Sequence, residues 1–320
     1  MIAPPLLSVK NLRMVYSGKK GKKIPAVHNV SFEIAKQGYT LAVVGESGCG
    51  KSSLALALLR LPPNNVLEFS GKVMLEGVDL LSLPKAEMDK KIRWKKISWI
   101  MQNPASALDT VYTIGAQIRE TLEVHGVKNA TSEETRLLEM VGLLADDGKK
   151  FPHQLSGGMQ QRAGIARALA LKPSLVILDE PTSALDISRQ GAIIHLLKEL
   201  KREFSCSYIF ITHDITLAKQ IADFFAVMYA GRIVEYGRAN DILRQPLHPY
   251  TRALLDCIPS LESDKEMGFI PGDPPDLSEV CSGCPFRFRP AIACEKCGEA
   301  ELNLCDAGDG HLVACRLYDG

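Results

Sequence analysis

The stretch Gly45-Glu46-Ser47-Gly48-Cys49-Gly50-Lys51-Ser52 constrains this chain more than any other. It fits G-x-x-x-x-G-K-[ST], and its surroundings fit as well. The apolar run Thr40-Leu41-Ala42-Val43-Val44 precedes it, and an Ala/Leu-rich segment, Ser52 to Leu61, follows. A buried strand, a glycine turn and a helix start in that order make a phosphate cradle. Glycines let backbone N–H groups converge, and the helix end adds partial positive charge. The pattern assigns phosphate contacts to Gly45, Glu46, Ser47, Gly48, Cys49, Gly50, Lys51, Ser52 and Ser53. Lys51 is expected to reach the β- and γ-phosphates, and the Ser52 hydroxyl to bind Mg²⁺. Cys49 takes a variable loop position and is read as a small residue with no catalytic role. Pro62-Pro63 stops the helix.

Further along, Leu175-Val176-Ile177-Leu178 reads as a buried strand ending in Asp179-Glu180. A carboxylate at a strand end can hold Mg²⁺ through water, and a second one beside it can orient or deprotonate an attacking water. Ser207 to Ile211 is another strand, ending at Thr212-His213-Asp214. At the C-terminal edge of a parallel sheet, His213 faces the ligand crevice. Leu6 to Val15 and Val30 to Ile34 read as strands on either side of a loop carrying Lys19, Lys20, Lys22 and Lys23. Gly71 to Leu81 predicts a strand pair, and Phe225 to Val234 two strands turning at Gly231. Residues 103–160 are mostly helical in pattern, with a helix start at Thr131-Ser132-Glu133-Glu134. Strands alternating with helices predict a mostly parallel, helix-covered sheet.

The totals narrow the class. Across 320 residues, 46% apolar content supplies a sizeable core, and a formal net charge of +1 argues against bulk capture of nucleic acid. No apolar run approaches the ~18 residues of a membrane span. The start, Met1-Ile2-Ala3-Pro4-Pro5, lacks the charged and apolar blocks of a signal peptide. The expectation is a cytosolic chain that meets a membrane through a partner. Composition shifts after about Gln245, where Pro and Gly become frequent. A boundary is therefore expected between a domain at 1–242 and an extension at 243–320.

Of 9 cysteines, Cys281, Cys284, Cys294, Cys297, Cys305 and Cys315 crowd that extension. In a reducing compartment such a cluster suits a metal better than disulfides. Cys281-x-x-Cys284 and Cys294-x-x-Cys297 resemble two zinc knuckles, and sulfur sites of this kind suit both Zn²⁺ and iron–sulfur clusters.

From about residue 6 to 240 the ordered motifs resemble the ATP-binding subunits of ABC transporters. The resemblance implies an α/β fold with a P-loop NTPase (RecA-like) core, an antiparallel β subdomain and an inserted helical subdomain at about 103–160. It implies that Tyr16 stacks on adenine and that Gln102 senses γ-phosphate and Mg²⁺ and faces the membrane subunits. Ser156-Gly157-Gly158-Met159-Gln160 matches the family signature. There Ser156, Gly157, Gly158 and Gln160 complete the ATP site of an opposite subunit. Asp179 matches the Mg²⁺ carboxylate, Glu180 the catalytic glutamate, Ser183-Ala184-Leu185-Asp186 the D-loop and His213 the switch histidine. The implied catalytic set is Glu180, His213 and Lys51. ATP and Mg²⁺ are the implied substrate and cofactor, with Ser52, Gln102 and Asp179 around the ion.

Phe151-Pro152-His153-Gln154, His248-Pro249-Tyr250-Thr251 and Ile270-Pro271-Gly272 resemble the oligopeptide/dipeptide importer branch. Members of that branch often carry four tail cysteines, and some bind a [4Fe–4S] cluster. Cys284, Cys297 and Cys315 match three of those positions; the remaining one is Pro290 here. Cys294 and Cys281 are the candidate fourth ligands, Cys305 a weaker one, and Zn²⁺ is the alternative metal. The implied partners are a second ABC ATPase subunit, related or identical, two transmembrane permease subunits and an extracytoplasmic substrate-binding protein. The implied location is the cytoplasmic face of the membrane. Rival readings are a soluble ABC ATPase acting on DNA or ribosomes, an importer of sugar or nickel, and a standalone iron–sulfur redox protein.

Overall fold

The structure, a computed structural model, describes residues 4–103, 107–183, 185–258, 270–279, 283–289, 297–298 and 302–318. Its strands are β1 (Leu7–Ser17), β2 (Lys23–Ile34), β3 (Thr40–Val44), β4 (Val66–Leu75), β5 (Val78–Asp79), β6 (Ile97–Ile100), β7 (Leu175–Asp179), β8 (Ser207–Thr212), β9 (Phe224–Tyr229), β10 (Arg232–Arg238), β11 (Cys305–Asp306) and β12 (Leu312–Val313). The helices used below are α1 (Lys51–Leu58), α2 (Ile114–Val124), α3 (Ala130–Met140), α4 (Gly157–Leu169), α5 (Ile187–Phe204), α6 (Ile215–Ile221), α7 (Ala239–Arg244) and α8 (Pro249–Asp256). The residues group into two compact units. The first joins Met1–Lys36, Leu41–Ser82 and Thr212–Gly320; the second joins Gln37–Thr40 and Leu83–Ile211.

In the first unit, β2, β1, β4 and β5 lie side by side in that order, all antiparallel. β1 buries Leu7, Val9, Leu12, Met14 and Val15. A strict alternation would not bury both Val9 and Leu12. A register shift between them, with Asn11 at φ 49, supplies the extra residue that moves the apolar set back to one face. β2 begins seven residues before the expected Val30, because its first half, which contains Pro25 and does not alternate, is carried into the ladder by pairing with β1, as in Val15↔Pro25 and Tyr16↔Ile24. The lysine-bearing loop is the short turn between these two strands.

The same unit places β3 parallel to β9, with Val44 opposite Val227, and then runs antiparallel through β10, β12 and β11. β3 is buried along its whole length, as its continuous apolar run predicts. α1 ends at Leu58 rather than at the expected Leu61. Arg60 turns into the left-handed region at φ 52, which ends the helix before Pro62 does.

In the second unit β6, β7 and β8 are parallel, with Ile97↔Leu175 and Leu175↔Ser207 in register. Helices α2 and α3 form its helical part. α3 starts at Ala130, preceded by Asn129 at φ 63, one residue earlier than the expected Thr131. Glu134 on α3 is buried and ion-paired with Arg119 on α2, so a charge pair lies within this packing.

Candidate nucleotide site

In the first unit the chain leaves β3 at Gly45 and enters α1 at Lys51. The approach is tight. A Cβ on Gly50, whose φ is +105°, would stand 2.0 Å from the Ala26 carbonyl oxygen, and one on Gly45 would stand 2.1 Å from that of Met228. Both obstacles are backbone, so only glycine lets the loop lie this close to β2 and β9. Lys51 is buried, and its Nζ donates to the carbonyls of Gly45 at 2.8 Å and Glu46 at 2.9 Å. The loop thus wraps its own cation. Ser52 is exposed at the first turn of α1. Tyr16 on β1 donates from its hydroxyl to Ser53 Oγ at 3.0 Å, which ties the ring to the helix start.

Cys49 is buried beside Lys51, with Sγ 3.8 Å from Nζ. Burial pushes its thiol above the ordinary range, and the nearby lysine only partly offsets this. It is a protonated packing group, in line with its reading as non-catalytic. His213 stands exposed just beyond β8. The next residue, Asp214, caps α6 by accepting from Leu217 N–H at 3.1 Å.

The second unit holds the carboxylates and the signature. Asp179 is buried at the end of β7. Glu180 follows in the left-handed region at φ 46, and its N–H donates to the Ile211 carbonyl at 2.9 Å. A non-glycine residue held at positive φ is strained, and such strain is favoured where a side chain must be aimed. Gln102 Nε2 donates to Glu180 Oε2 at 2.9 Å, so the structure brings together two residues 78 positions apart. The loop after Glu180 is tied internally. Ser183 donates to the Glu180 carbonyl, Gln190 to those of Thr182 and Leu185, and Asp186 caps α5 at Arg189. Ala184 lies outside the described residues.

Ser156 caps α4, accepting from Met159 N–H at 3.4 Å, and it is exposed together with Gly157. A Cβ on Gly157 would meet nothing within 4 Å. Packing within the chain therefore does not require glycine there. Gln160 turns the other way and donates to the Pro152 carbonyl at 2.8 Å, fixing the loop that leads into the helix.

Sequence reasoning missed the polar groups that the C-terminal residues of the first unit bring to the phosphate loop. Arg289, fully buried, donates from Nη2 to both carboxylate oxygens of Glu46 at 2.9 Å. The Glu46 N–H donates to the Tyr250 hydroxyl at 3.0 Å. Tyr229, Tyr250 and Phe286 pack ring against ring around this point, with centroids 4.5 to 5.9 Å apart. Glu235, also fully buried, accepts from Leu247 N–H and His248 N–H at 2.8 and 3.0 Å and lies 2.7 Å from His311 Nε2. The motif around His248 and Tyr250 stood out in the sequence, but nothing in it specified these partners.

The described tail cysteines do not by themselves make a four-sulfur cage. Cys284 and Cys315 are buried, Cys297 is half-buried, and the Cys305 thiol faces the Val313 carbonyl at 3.1 Å. Among the described residues no group of three or more His, Cys, Asp or Glu is placed to hold a metal ion. Cys281, Cys294 and Pro290 lie outside the described residues.

The ABC transporter family model matches residues 27–183, and the model for the C-terminal region of oligopeptide/dipeptide transporters matches 234–297. The oligopeptide transport ATP-binding protein OppD of Escherichia coli strain K12 is 42% identical, across 98% of this chain and 93% of that protein. The dipeptide transport ATP-binding protein DppD of Bacillus subtilis strain 168 is 41% identical, across 98% and 95%. Among solved structures, the dimeric ATP-binding cassette MJ0796 in a post-hydrolysis state bound to ADP and Pi aligns with TM-score 0.64 and 28% identity. That alignment covers 73% of this chain and 98% of the other. With its phosphate loop, strand-end carboxylates and signature in order, and with such identity along nearly its whole length, the chain belongs to the ABC transporter family, as an ATP-hydrolysing cassette subunit.

Proposed function

We propose that this subunit powers a membrane importer of di- or oligopeptides. The relatives named for oligopeptide and dipeptide transport support the substrate class. The observation that carries the mechanism is the exposed start of α4. Ser156 and Gly157 present a hydroxyl and helix-end amides to the outside, and among the described residues nothing beyond the helix itself would meet a Gly157 Cβ within 4 Å. Such donors suit an anion brought by another molecule. In this reading the anion is the γ-phosphate of an ATP held by the phosphate loop of a second ATPase subunit, related or identical.

In the first unit, Lys51 would exchange the carbonyls of Gly45 and Glu46 for phosphate oxygens, and Tyr16 would lie against adenine. His213 would hold the γ-phosphate in its hydrolytic geometry. In the second, Glu180 would orient the attacking water, with Gln102 positioning its carboxylate. In the first unit the Ser52 hydroxyl would bind Mg²⁺, which screens the phosphate charge, and in the second the Asp179 carboxylate is the group suited to such an ion. Catalysis of this kind is mostly positioning and charge stabilisation. Closure is driven by the differential affinity of ATP for the closed pair.

Among the described residues no helix is long and apolar enough to cross a membrane. The relatives named as ATP-binding proteins of peptide transport support a place on the cytoplasmic face, against two permease subunits fed by an extracytoplasmic binding protein. A groove lined by Leu108, Asp109, Tyr112, Gln117, Glu120 and Arg167, with Val111 and Tyr112 exposed nearby, is the proposed permease seat. The tail cluster stays a proposal of composition alone. Cys284, Cys297 and Cys315, with Cys281 or Cys294, would bind iron–sulfur or zinc, and metal and sulfide analysis of the purified protein decides it.

The test is Glu180→Gln. The variant is expected to bind ATP as the native chain does, to hydrolyse it about a hundredfold more slowly, and to run as a dimer in ATP. Brisk hydrolysis would remove Glu180 from its role. Hydrolysis stimulated by DNA or ribosomes, with no permease recovered from an intact membrane complex, would overturn the importer.

A further inference from the structure

We propose that Arg289 is a positioning residue of the phosphate loop, so that seating of the segment around 283–289 and binding of nucleotide stabilise each other. The inference rests on the ATPase reading but adds a residue outside the phosphate loop, the signature and the strand-end carboxylates described above.

Glu46 is held at three points. Arg289 takes its carboxylate, Tyr250 accepts from its N–H, and Lys51 donates to its carbonyl. Two of these three come from the C-terminal part of the unit. The third, Lys51, is the one that ATP would call away. Arg289 and Tyr250, with the local Cys49 N–H that donates to the Glu46 carbonyl at 3.3 Å, therefore carry Glu46 when nucleotide is bound.

Charge makes the arrangement more than a tether. The Glu46 side chain is 24% exposed, in a loop built to take phosphate, whereas the Arg289 side chain is 0% exposed. A lone carboxylate there would repel a polyanion. A guanidinium on both of its oxygens neutralises it and fixes its direction. Arg289 in turn has few other partners for its charge. Its Nε and Nη1 find no hydrogen-bond partner among the described residues, and its guanidinium lies over the Tyr229 ring at 5.6 Å. A buried cation so placed depends on Glu46, and Glu46 on it. Arg289 leaves a short helical turn, Pro285–Phe288, in which Phe286 is buried against Tyr229 and Tyr250. Movement of that turn reaches the loop through the Arg289–Glu46 ion pair and through Phe286, which packs on the Tyr250 that accepts from Glu46 N–H. By linkage, nucleotide that favours one position of Glu46 favours the seated turn by the same factor.

The experiment uses the full chain. Arg289→Met is expected to raise the Kd for MgATP about tenfold and to raise KM rather than lower kcat. Arg289→Lys should recover part of the loss. Adding Glu46→Gln to Arg289→Met should tighten binding again, because the uncompensated carboxylate is gone. Native affinity in Arg289→Met, or a double variant weaker than both single ones, would overturn the proposal. Should Arg289→Met fail to fold, the native protein decides. Amide hydrogen exchange across 284–289 is expected to slow at least about threefold on adding MgATP, and an unchanged rate would refute the coupling.

Discussion

At the scale of single residues, the C-terminal part of the first unit is built on buried polar groups whose partners no motif specified. Glu235 has no exposure and three partners drawn from Leu247, His248 and His311. His248 is equally buried, and its Nδ1 accepts from Tyr250 N–H at 3.0 Å. Burial pushes the His248 imidazole down to about 3, because the charged form would lose its water. In the unfolded chain it takes up a proton near its ordinary value of 6.5. Below that pH the unfolded state binds a proton that the folded state refuses. The contribution is thus intact above about pH 6.5 and is lost as pH falls toward 3, at a slope of up to about 1.4 kcal/mol per pH unit. His248→Asn keeps an acceptor at the same place and removes the titration. It should flatten the acid limb of a melting-temperature profile between pH 4 and 6.5, roughly the span this histidine governs; an unaltered limb would assign acid sensitivity to other groups. The positions of Lys51, Asp179, Glu180 and His213 were legible, because each follows a strand or opens a helix whose sequence signal is local. Arg289 was not, because it meets a residue 243 positions away.

Among the elements, the strand–loop–helix unit around Gly45–Ser52 is where sequence and structure agree most closely. Its signals are short-range: an apolar run for β3, glycines for the turn, helix formers for α1. The disagreements lie where pairing overrides local pattern. The first half of β2 lacks a period-2 alternation and Pro25 looks like a breaker, yet the segment is carried in the ladder by β1. The loop also gives a graded test. Gly50→Ala puts a methyl 2.0 Å from a backbone carbonyl, while Gly48→Ala, at φ +80°, meets nothing within 4 Å. The first should cost about 3 kcal/mol or more in urea unfolding through forced backbone movement, the second about 1 kcal/mol of conformational strain. Equal costs would mean that the close approach to Ala26 does not limit the loop.

On the scale of the whole molecule, composition and alternation were enough to indicate an α/β chain, while the grouping of its residues was not. Residues from 212 on belong with those before 37, because the β9–β10 hairpin is tied to β2: His28 N–H donates to the Gly231 carbonyl at 2.8 Å and the Tyr236 hydroxyl to that of Glu33 at 2.7 Å. Such long-range pairing leaves no periodic trace. A chain truncated after residue 242 would lose β12 from the edge of β10, all three partners of Glu235, and Tyr250 and Phe286 from the ring cluster. Its melting temperature should fall by about 10 °C or more, with lower soluble yield; a truncated chain that melts with the native one would make the extension an independent attachment. The pairing of Glu235 with Val313 also has a consequence in time. During synthesis the ribosome delivers β1 near the start and β12 some 300 positions later. Until then the β10 edge stands open, and Glu235 must wait in water or be buried without His311. The slow step of folding for this unit is therefore expected after β12 has emerged, so premature termination would release a nascent chain with an adhesive sheet edge rather than a smaller working enzyme.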